Sequence, residues 1–449
     1  MTSIYIFGII VMVIKVIVKI LKMDHQGRGI SKLGEKTVFV NKALPNEVVD
    51  IKIEKENKKI MEADVVRLIE KSPKRIEPVC PYYSLCGGCD LMHINYLDEL
   101  FYKENKIRQI IDKFTTLPLN IIKPIVGNTN ENYRNKVTFH VNGKIGFYKE
   151  KSFNIIEIDN CYIADFKINK ILKKIKTINL NNIYEIVIRT SKYLEDNMVV
   201  LKVNNFIDEN KIINDLKADV DTIIIYQNKE YKTIYGKGFI NDKIGDYIFK
   251  ISPDSFFQVN TKEAKILYDK VLEYLNPSIN DKVLDLYCGT GTIGIYISKY
   301  VHSVKGVEIN KYAVMDANYN KNKNNVNNIS FECLDASKID KIKDKFDSVI
   351  VDPPRSGLDK KTINYLINLK PKKIVYVSCD PITLARDLEL LKNYYNVLEI
   401  TPVDMFSNTY HVECVCVLNL KWSLIFQQKP TVQCLSKKSI FLIKKHLFL

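Results

Sequence analysis

The stretch Asp285-Leu-Tyr-Cys-Gly-Thr-Gly-Thr-Ile-Gly294 decides the fold. It follows a β-rich run at 282–287 and leads into a helical pattern, with Gly289, Gly291 and Gly294 in G-x-G-x-x-G order. Glycines so spaced permit a tight turn and a close approach of the backbone to a nucleotide-like ligand. Glu308 ends the next β-rich run, where a carboxylate can hold ribose hydroxyls. A nicotinamide dinucleotide site would place an acid there too, and a structural glycine turn is the plainer alternative. Further β-rich runs lie at 303–308, 329–333, 348–351, 373–377, 396–401 and 411–418, the earlier ones separated by helical segments. That alternation predicts an α/β fold with a doubly wound, mostly parallel sheet over 253–420. The Asn- and Lys-rich stretch 318–328 reads as a loop.

Three further motifs lie on this sheet. Asp352-Pro-Pro-Arg-Ser-Gly357 follows the fourth run. Its prolines stiffen a loop at the carboxyl end of the sheet, where ligands bind. Combined with the glycine motif, it favours a methyltransferase over a dehydrogenase. Val377-Ser-Cys379-Asp-Pro381 follows the fifth run. A lone cysteine is usually buried and inert, but Cys379 is predicted at a strand end on the ligand crevice. Uracil C5 is a poor nucleophile towards a methylsulfonium, and a thiolate added to C6 makes it a good one. Such a reaction needs a cysteine with thiolate character. His411-Val-Glu413 opens the last run. After methyl transfer a general base has to take the C5 proton before the thiolate leaves. An antiparallel last strand would bring Glu413 beside Cys379, whereas a surface carboxylate at a strand start is the plain alternative.

Upstream, Cys80-x5-Cys86-Gly-Gly-Cys89 sets three thiols close together. The spacing suits metal or cluster ligation, with a fourth ligand from elsewhere. Cys161, in Asp159-Asn-Cys161-Tyr, is the best candidate, and structural zinc is the local alternative. Before this loop, β-rich runs at 13–22, 37–41, 47–54 and 63–70 alternate with turn signals and basic loops, which predicts a small β-barrel over 13–72. After it, 95–114 reads as a helix, and runs at 136–141, 183–190, 198–203 and 222–227 predict an α+β central unit over 73–252. Tyr133-Arg134-Asn135-Lys136 offers cations to a phosphate backbone, or is a solvated surface.

The 449 residues allow two to four domains, and 46% hydrophobic content excludes global disorder. Lysine plus arginine number 67 against 52 acidic residues, and a net charge of +15 favours a polyanionic partner. Ten unevenly spaced cysteines do not form a secreted disulfide framework and point to a reducing compartment. The apolar stretch 3–21 approaches the about 20 residues of a membrane span. It lacks a cleavage site and is β-branched like a strand, so a strand is expected from Val13 onwards and a membrane anchor is not.

In combination these motifs, with Phe256-Phe257-Gln258-Val-Asn260, resemble the RNA uracil-C5 methyltransferase family, in the type acting on 23S ribosomal RNA, over roughly 13–420. The resemblance implies an N-terminal TRAM (OB-like) barrel, a central domain carrying a [4Fe–4S] cluster and a class I, Rossmann-like methyltransferase domain using S-adenosyl-L-methionine. It implies Cys80, Cys86, Cys89 and Cys161 as cluster ligands. Gln258, Tyr287, Glu308 and Asp352, with Gly289 and Gly291, line the methyl-donor pocket. Cys379 is then the nucleophile and Glu413 the base, and Phe256 stands beside a flipped base with Arg134 on the RNA. Chemistry on a base inside a pocket requires the base to leave its stack. The resemblance also assigns the helical stretch 93–122 to the catalytic domain. It further implies a cytoplasmic monomer acting on 23S rRNA, with no DNA or membrane partner. Ser407 departs from the proline usual in the family, and 1–12 and 421–449 have no assigned role. The rival readings are a transfer RNA T-loop uridine methyltransferase, an RNA cytosine-C5 methyltransferase and a non-catalytic RNA-binding iron–sulfur protein.

Overall fold

Alternating burial builds the first unit of the computed structural model, which describes residues 3–6, 9–12 and 16–421. The predicted strand start at 13–15 and the C-terminal tail 422–449 lie outside the described residues. Six strands pair in the order Val16–Lys19, Val48–Glu56, Ile60–Glu70, Lys36–Asn41, Gly29–Leu33, Lys22–Met23. Val18, Val38, Val40, Val49, Ile51 and Ala63 fill the interior, as the two-residue period of a strand dictates. The single strand expected over 13–22 is two strands. Ile20 N–H donates to Glu47 O and Leu21 N–H to Ile30 O, so the chain changes partner there. The turn expected at 26–29 closes one residue early. The Asp24 carboxylate accepts from the backbone N–H of Gln26 and Arg28, and Gly29 begins an unforeseen strand. Ahead of this unit, Ser3–Ile6 pairs with Ile9–Met12. No helix among the described residues is long and apolar enough to cross a membrane.

The central unit is a seven-stranded sheet in the order Ile155–Glu157, Ile145–Tyr148, Lys136–Val141, Ile183–Thr190, Asn197–Val203, Thr222–Gln227, Glu230–Tyr235. Only Asn197–Val203 and Thr222–Gln227 run parallel. Helices Phe166–Ile175 and Glu209–Leu216 bury Ile168, Ile171, Leu172, Ile212 and Leu216 with the sheet's apolar residues. The strands not anticipated lie towards the sheet's edges, where Glu230–Thr233 is exposed and carries no apolar alternation.

The third unit is a seven-stranded sheet in the order Ile329–Cys333, Ser303–Glu308, Lys282–Leu286, Ser348–Val351, Lys373–Ser378, Glu413–Leu420, Tyr395–Val403. The first five strands are parallel, and Glu413–Leu420 runs antiparallel to both neighbours. The strand order reverses beside Lys282–Leu286, so the ligand crevice of such sheets opens at its carboxyl end. Two expectations need correction. The hairpin Ile240–Ile244/Tyr247–Ile251 buries Ile240, Ile244, Phe249 and Ile251 in this unit's core, so the boundary drawn at 252 falls after it. The Asn-rich stretch is largely helical, in Lys311–Lys323. Asn320 accepts from Lys250 N–H at 2.7 Å and donates to Thr290 O at 3.1 Å, so neighbouring backbone satisfies an amide that would otherwise favour a loop. Helix Tyr96–Phe114 packs Ile107, Ile110 and Ile111 into the same unit beside Leu384 and Leu388.

Candidate active site

The glycine turn opens the crevice. Gly289 (φ 54°) and Gly291 (φ 78°) both take left-handed backbone, as does Tyr287 (φ 61°). A Cβ on Gly291 would lie 2.4 Å from the Phe331 ring, whereas one on Gly289 would meet nothing within 4 Å. Gly289 therefore keeps a face free for a ligand. Its N–H donates to Glu308 Oε2 at 3.1 Å, which ties the acid of the second strand to the turn. Asp285, in the strand Lys282–Leu286, is fully buried, and the polar group that faces its carboxyl is the backbone N–H of Gly294. Burial, with Asp352 next, pushes its carboxyl up to about 8. Asp352 is pushed up to about 7 by burial. Two acids close to each other beside an open glycine turn suit a ligand that carries positive charge.

Strand register brings Cys379 and Glu413 together. Ser378 pairs with Cys414 across antiparallel strands, and the next opposed positions are Cys379 and Glu413. Cys379 lies just past the end of its strand, near enough for the Glu413 carboxylate to push its thiol up. Glu413 begins its strand, two residues later than the sequence predicts. Asp380 caps the helix Pro381–Leu391, accepting from Ile382 N–H at 3.0 Å and Thr383 N–H at 2.9 Å. The Cys-Asp-Pro order thus sets the thiol at a helix start. Thr383 and Arg386 of this helix donate to the carbonyls of Arg355 and Ser356, which pins the Pro-Pro loop against it.

The electrostatics differ from expectation. Burial, then Glu413 and Asp352, push the Cys379 thiol up to about 12, with Arg355 opposing. The protein's own groups therefore keep the thiol protonated at neutral pH. Burial, with Asp352 next, pushes Glu413 up to about 8, again opposed by Arg355. Arg355 was legible only as part of the Pro-Pro motif, and its role as the cation facing both groups was not foreseen.

The remaining candidates converge elsewhere. Cys80, Cys86, Cys89 and Cys161 line one cavity of about 920 Å3 together with Arg134 and Phe256. Burial, then Cys161, Cys86 and Cys80, hold the Cys89 thiol well above its usual range, which reflects four thiols close together. Among the described residues no three His, Cys, Asp or Glu side chains are set to hold a single metal ion. Phe256, 67% exposed, lines this cavity, while Gln258 is buried and does not, its carbonyl accepting from Asn135 Nδ2 at 3.0 Å. Arg134 links the two walls: its N–H donates to Ile163 O, and Asn135 N–H donates to Val259 O. Buried Arg189, which the sequence did not mark, donates to Ser255 O at 3.0 Å and Phe257 O at 3.2 Å and so fixes the segment bearing Phe256. Its acceptors are carbonyls, which leave no signal in a sequence.

Comparison with known proteins places these features. A family model described as tRNA (Uracil-5-)-methyltransferase matches residues 95–421, and one described as TRAM domain matches 12–66. An uncharacterised RNA methyltransferase of Oceanobacillus iheyensis is 36% identical over 440 residues, covering 89% of this chain and 95% of its own. One from Clostridium tetani is 37% identical over 434 residues, covering 88% and 94%. Among solved structures, the Pyrococcus abyssi tRNA (uracil-54, C5)-methyltransferase in complex with S-adenosyl-L-homocysteine is similar with a TM-score of 0.73. It is 29% identical, and the match covers 89% of this chain and 99% of that one.

Proposed function

The chain belongs to the tRNA (uracil-5-)-methyltransferase family of RNA uracil-C5 methyltransferases, and on that premise we propose that it transfers a methyl group from S-adenosyl-L-methionine to C5 of a uridine in 23S rRNA. The register of Ser378 against Cys414, which sets Cys379 opposite Glu413, carries this reading. The open face of Gly289 and the placement of Glu308 fit the methyl donor. Gln258, Tyr287, Glu308 and Asp352, with Gly289 and Gly291, would hold it. When bound, the donor supplies a methyl group on a positively charged sulfur.

The Cys379 thiol gives its proton to water and adds as the thiolate to uracil C6, which makes C5 nucleophilic. Arg355 favours the thiolate by opposing the upward shift on that group. Once C5 bears the methyl group, the Glu413 carboxylate takes the C5 proton as the C6–S bond breaks, and the Cys379 thiolate that leaves regains its proton from water. A carboxyl held near about 8 suits a group that accepts a proton and passes it on. Phe256 and Arg134 receive the RNA, one offering a ring for stacking and the other a cation for phosphate.

Cys80, Cys86, Cys89 and Cys161 would hold a [4Fe–4S] cluster. Four thiols around one cavity suit a multi-iron cluster, which spans more space than one ion and takes all-thiolate ligation. Thiols left unpaired fit a reducing cytoplasm, and a monomer suffices because the candidate site is assembled within one chain.

The ribosomal branch is taken from the motif resemblance of the sequence. The likeness to a transfer RNA enzyme over 89% of the chain favours a second reading, a T-loop uridine of tRNA. Mapping 5-methyluridine in rRNA and tRNA, from cells with and without the gene, separates them. Loss of a 23S rRNA site is the expected result, and loss confined to tRNA overturns the rRNA assignment. A Cys379→Ala protein that still transfers labelled methyl to RNA would overturn the mechanism.

A further inference from the structure

Helix Tyr96–Phe114 carries a lysine with no exposed surface. Lys103 Nζ donates to Glu99 Oε1 at 2.6 Å, Asp404 Oδ1 at 2.6 Å and Phe406 O at 3.1 Å. An ammonium has three donors, and all are used. Its acceptors hold the same short segment in turn. Glu99 accepts from Asn408 N–H at 2.7 Å, and Asp404 accepts from Ser407 Oγ at 2.8 Å. Tyr133 OH donates to Ser407 O at 2.9 Å, and Lys106 Nζ donates to Tyr410 O at 2.8 Å. Asn408, in left-handed backbone at φ 67°, offers its carbonyl to the N–H groups of Asp90 and Leu91.

This segment, 404–411, leads directly into Glu413. We propose that Lys103 is a positioning residue for proton removal from C5: it fixes the path of 404–411 and, through it, the carboxyl of Glu413. The inference rests on the reading of Glu413 as the base.

Two physical points favour a positioning role over plain stability. Burying three charges costs much of what their attraction returns, and apolar replacements often match or exceed a buried charged cluster in stability. Directed bonds do what apolar packing does not, since they set the direction of a backbone that carries no regular structure. Ser407, where the resemblance leads one to expect a rigid proline, holds its place by hydrogen bonds to Asp404 and to Thr129 O.

A single-turnover assay tests this. Full-length protein is mixed with labelled methyl donor and ribosomal RNA from cells lacking the gene. Methyl transfer and denaturant-stable protein–RNA adduct are followed over time. Glu413→Gln should accumulate methylated adduct. Lys103→Met should do the same: methyl transfer stays close to the parent rate, and release slows at least about ten-fold. If Lys103→Met does not fold, the charge-neutral triple variant Glu99→Gln/Lys103→Met/Asp404→Asn is read in the same way. Parental release in the folded variant, with adduct accumulating in Glu413→Gln, overturns the role of Lys103 and leaves the base reading standing. Equal loss of both steps makes Lys103 structural and also overturns it. Parental release in Glu413→Gln overturns the base reading and this inference with it.

Discussion

Glu413 and Cys379 make the same demand on pH. A base works ionised, and Glu413 is held up to about 8 chiefly by burial. Proton removal therefore rises with pH up to about that value and flattens above it. Cys379, pushed up to about 12, also gains thiolate as pH rises. Neither group supplies a falling limb between pH 6.5 and 9. A bound cationic donor favours both charged forms, so the inflection belongs at or below the value of the protein alone. At saturating RNA and donor, steady-state turnover is expected to rise about ten-fold per pH unit at the acid end, as measured by labelled methyl incorporation. Turnover that falls across this range would count against Glu413 as the base. At this scale the sequence exposed Cys379 and Glu413 because both sit at predicted strand ends beside recognisable turns. It did not expose Lys103 or Arg189. Apart from Glu99 one turn before Lys103, their partners are groups far along the chain, such as Asp404, Phe406 O and Ser255 O.

The turn between Leu286 and Thr292 shows how one element divides its glycines between stability and binding. Gly291 is enclosed: an alanine there meets the Phe331 ring at 2.4 Å and sits at φ 78°. Left-handed backbone costs about 1–2 kcal/mol and overpacking typically about 1–3 kcal/mol more. Gly291→Ala should therefore lose roughly 2–5 kcal/mol in denaturant unfolding. Gly289→Ala carries the backbone strain of φ 54° but has open space. It should lose only about 1–2 kcal/mol yet bind S-adenosyl-L-homocysteine more weakly in calorimetry, because its Cβ enters the ligand's side of the turn. Equal stability losses in the two variants would contradict this division. The strands of the third sheet were readable because strands buried on both faces carry runs of apolar residues, as in Val349-Ile350-Val351. Glu230–Tyr235 was not, because a solvated edge carries no such pattern. The helix Lys311–Lys323 was misread because Asn320 finds its partners far away in the chain, Lys250 N–H 70 residues earlier and Thr290 O 30 residues earlier.

Across the whole molecule, the order of barrel, central unit and catalytic sheet was legible, since each has its own periodicity and turn chemistry. Their docking was not, because it depends on contacts between distant residues. The cysteine loop is the clearest case. Asp90 and Leu91, directly after Cys89, donate their N–H groups to Asn408 O at 2.8 and 3.0 Å. Asn408 lies in the segment that leads to Glu413, so whatever orders the four thiols also orders the approach to Glu413. Metal ligation energy is folding energy for the residues that supply it. Protein isolated without oxygen is expected to be brown, with about four iron atoms per chain. Cys89→Ser should lose both colour and iron. At about 2–4 °C per kcal/mol for a unit of this size, losing a few kcal/mol of ligation lowers Tm by roughly 5–10 °C. The same variant should also hold more methylated adduct than the parent in a denaturing gel, because the slackened loop reaches Glu413 through Asn408. A colourless protein with one zinc per chain would reject the cluster while leaving the loop coupling to be read from the adduct. Loss of iron with adduct release unchanged would reject the coupling instead, and would make the cysteine cavity a stabilising element separate from the chemistry at Cys379.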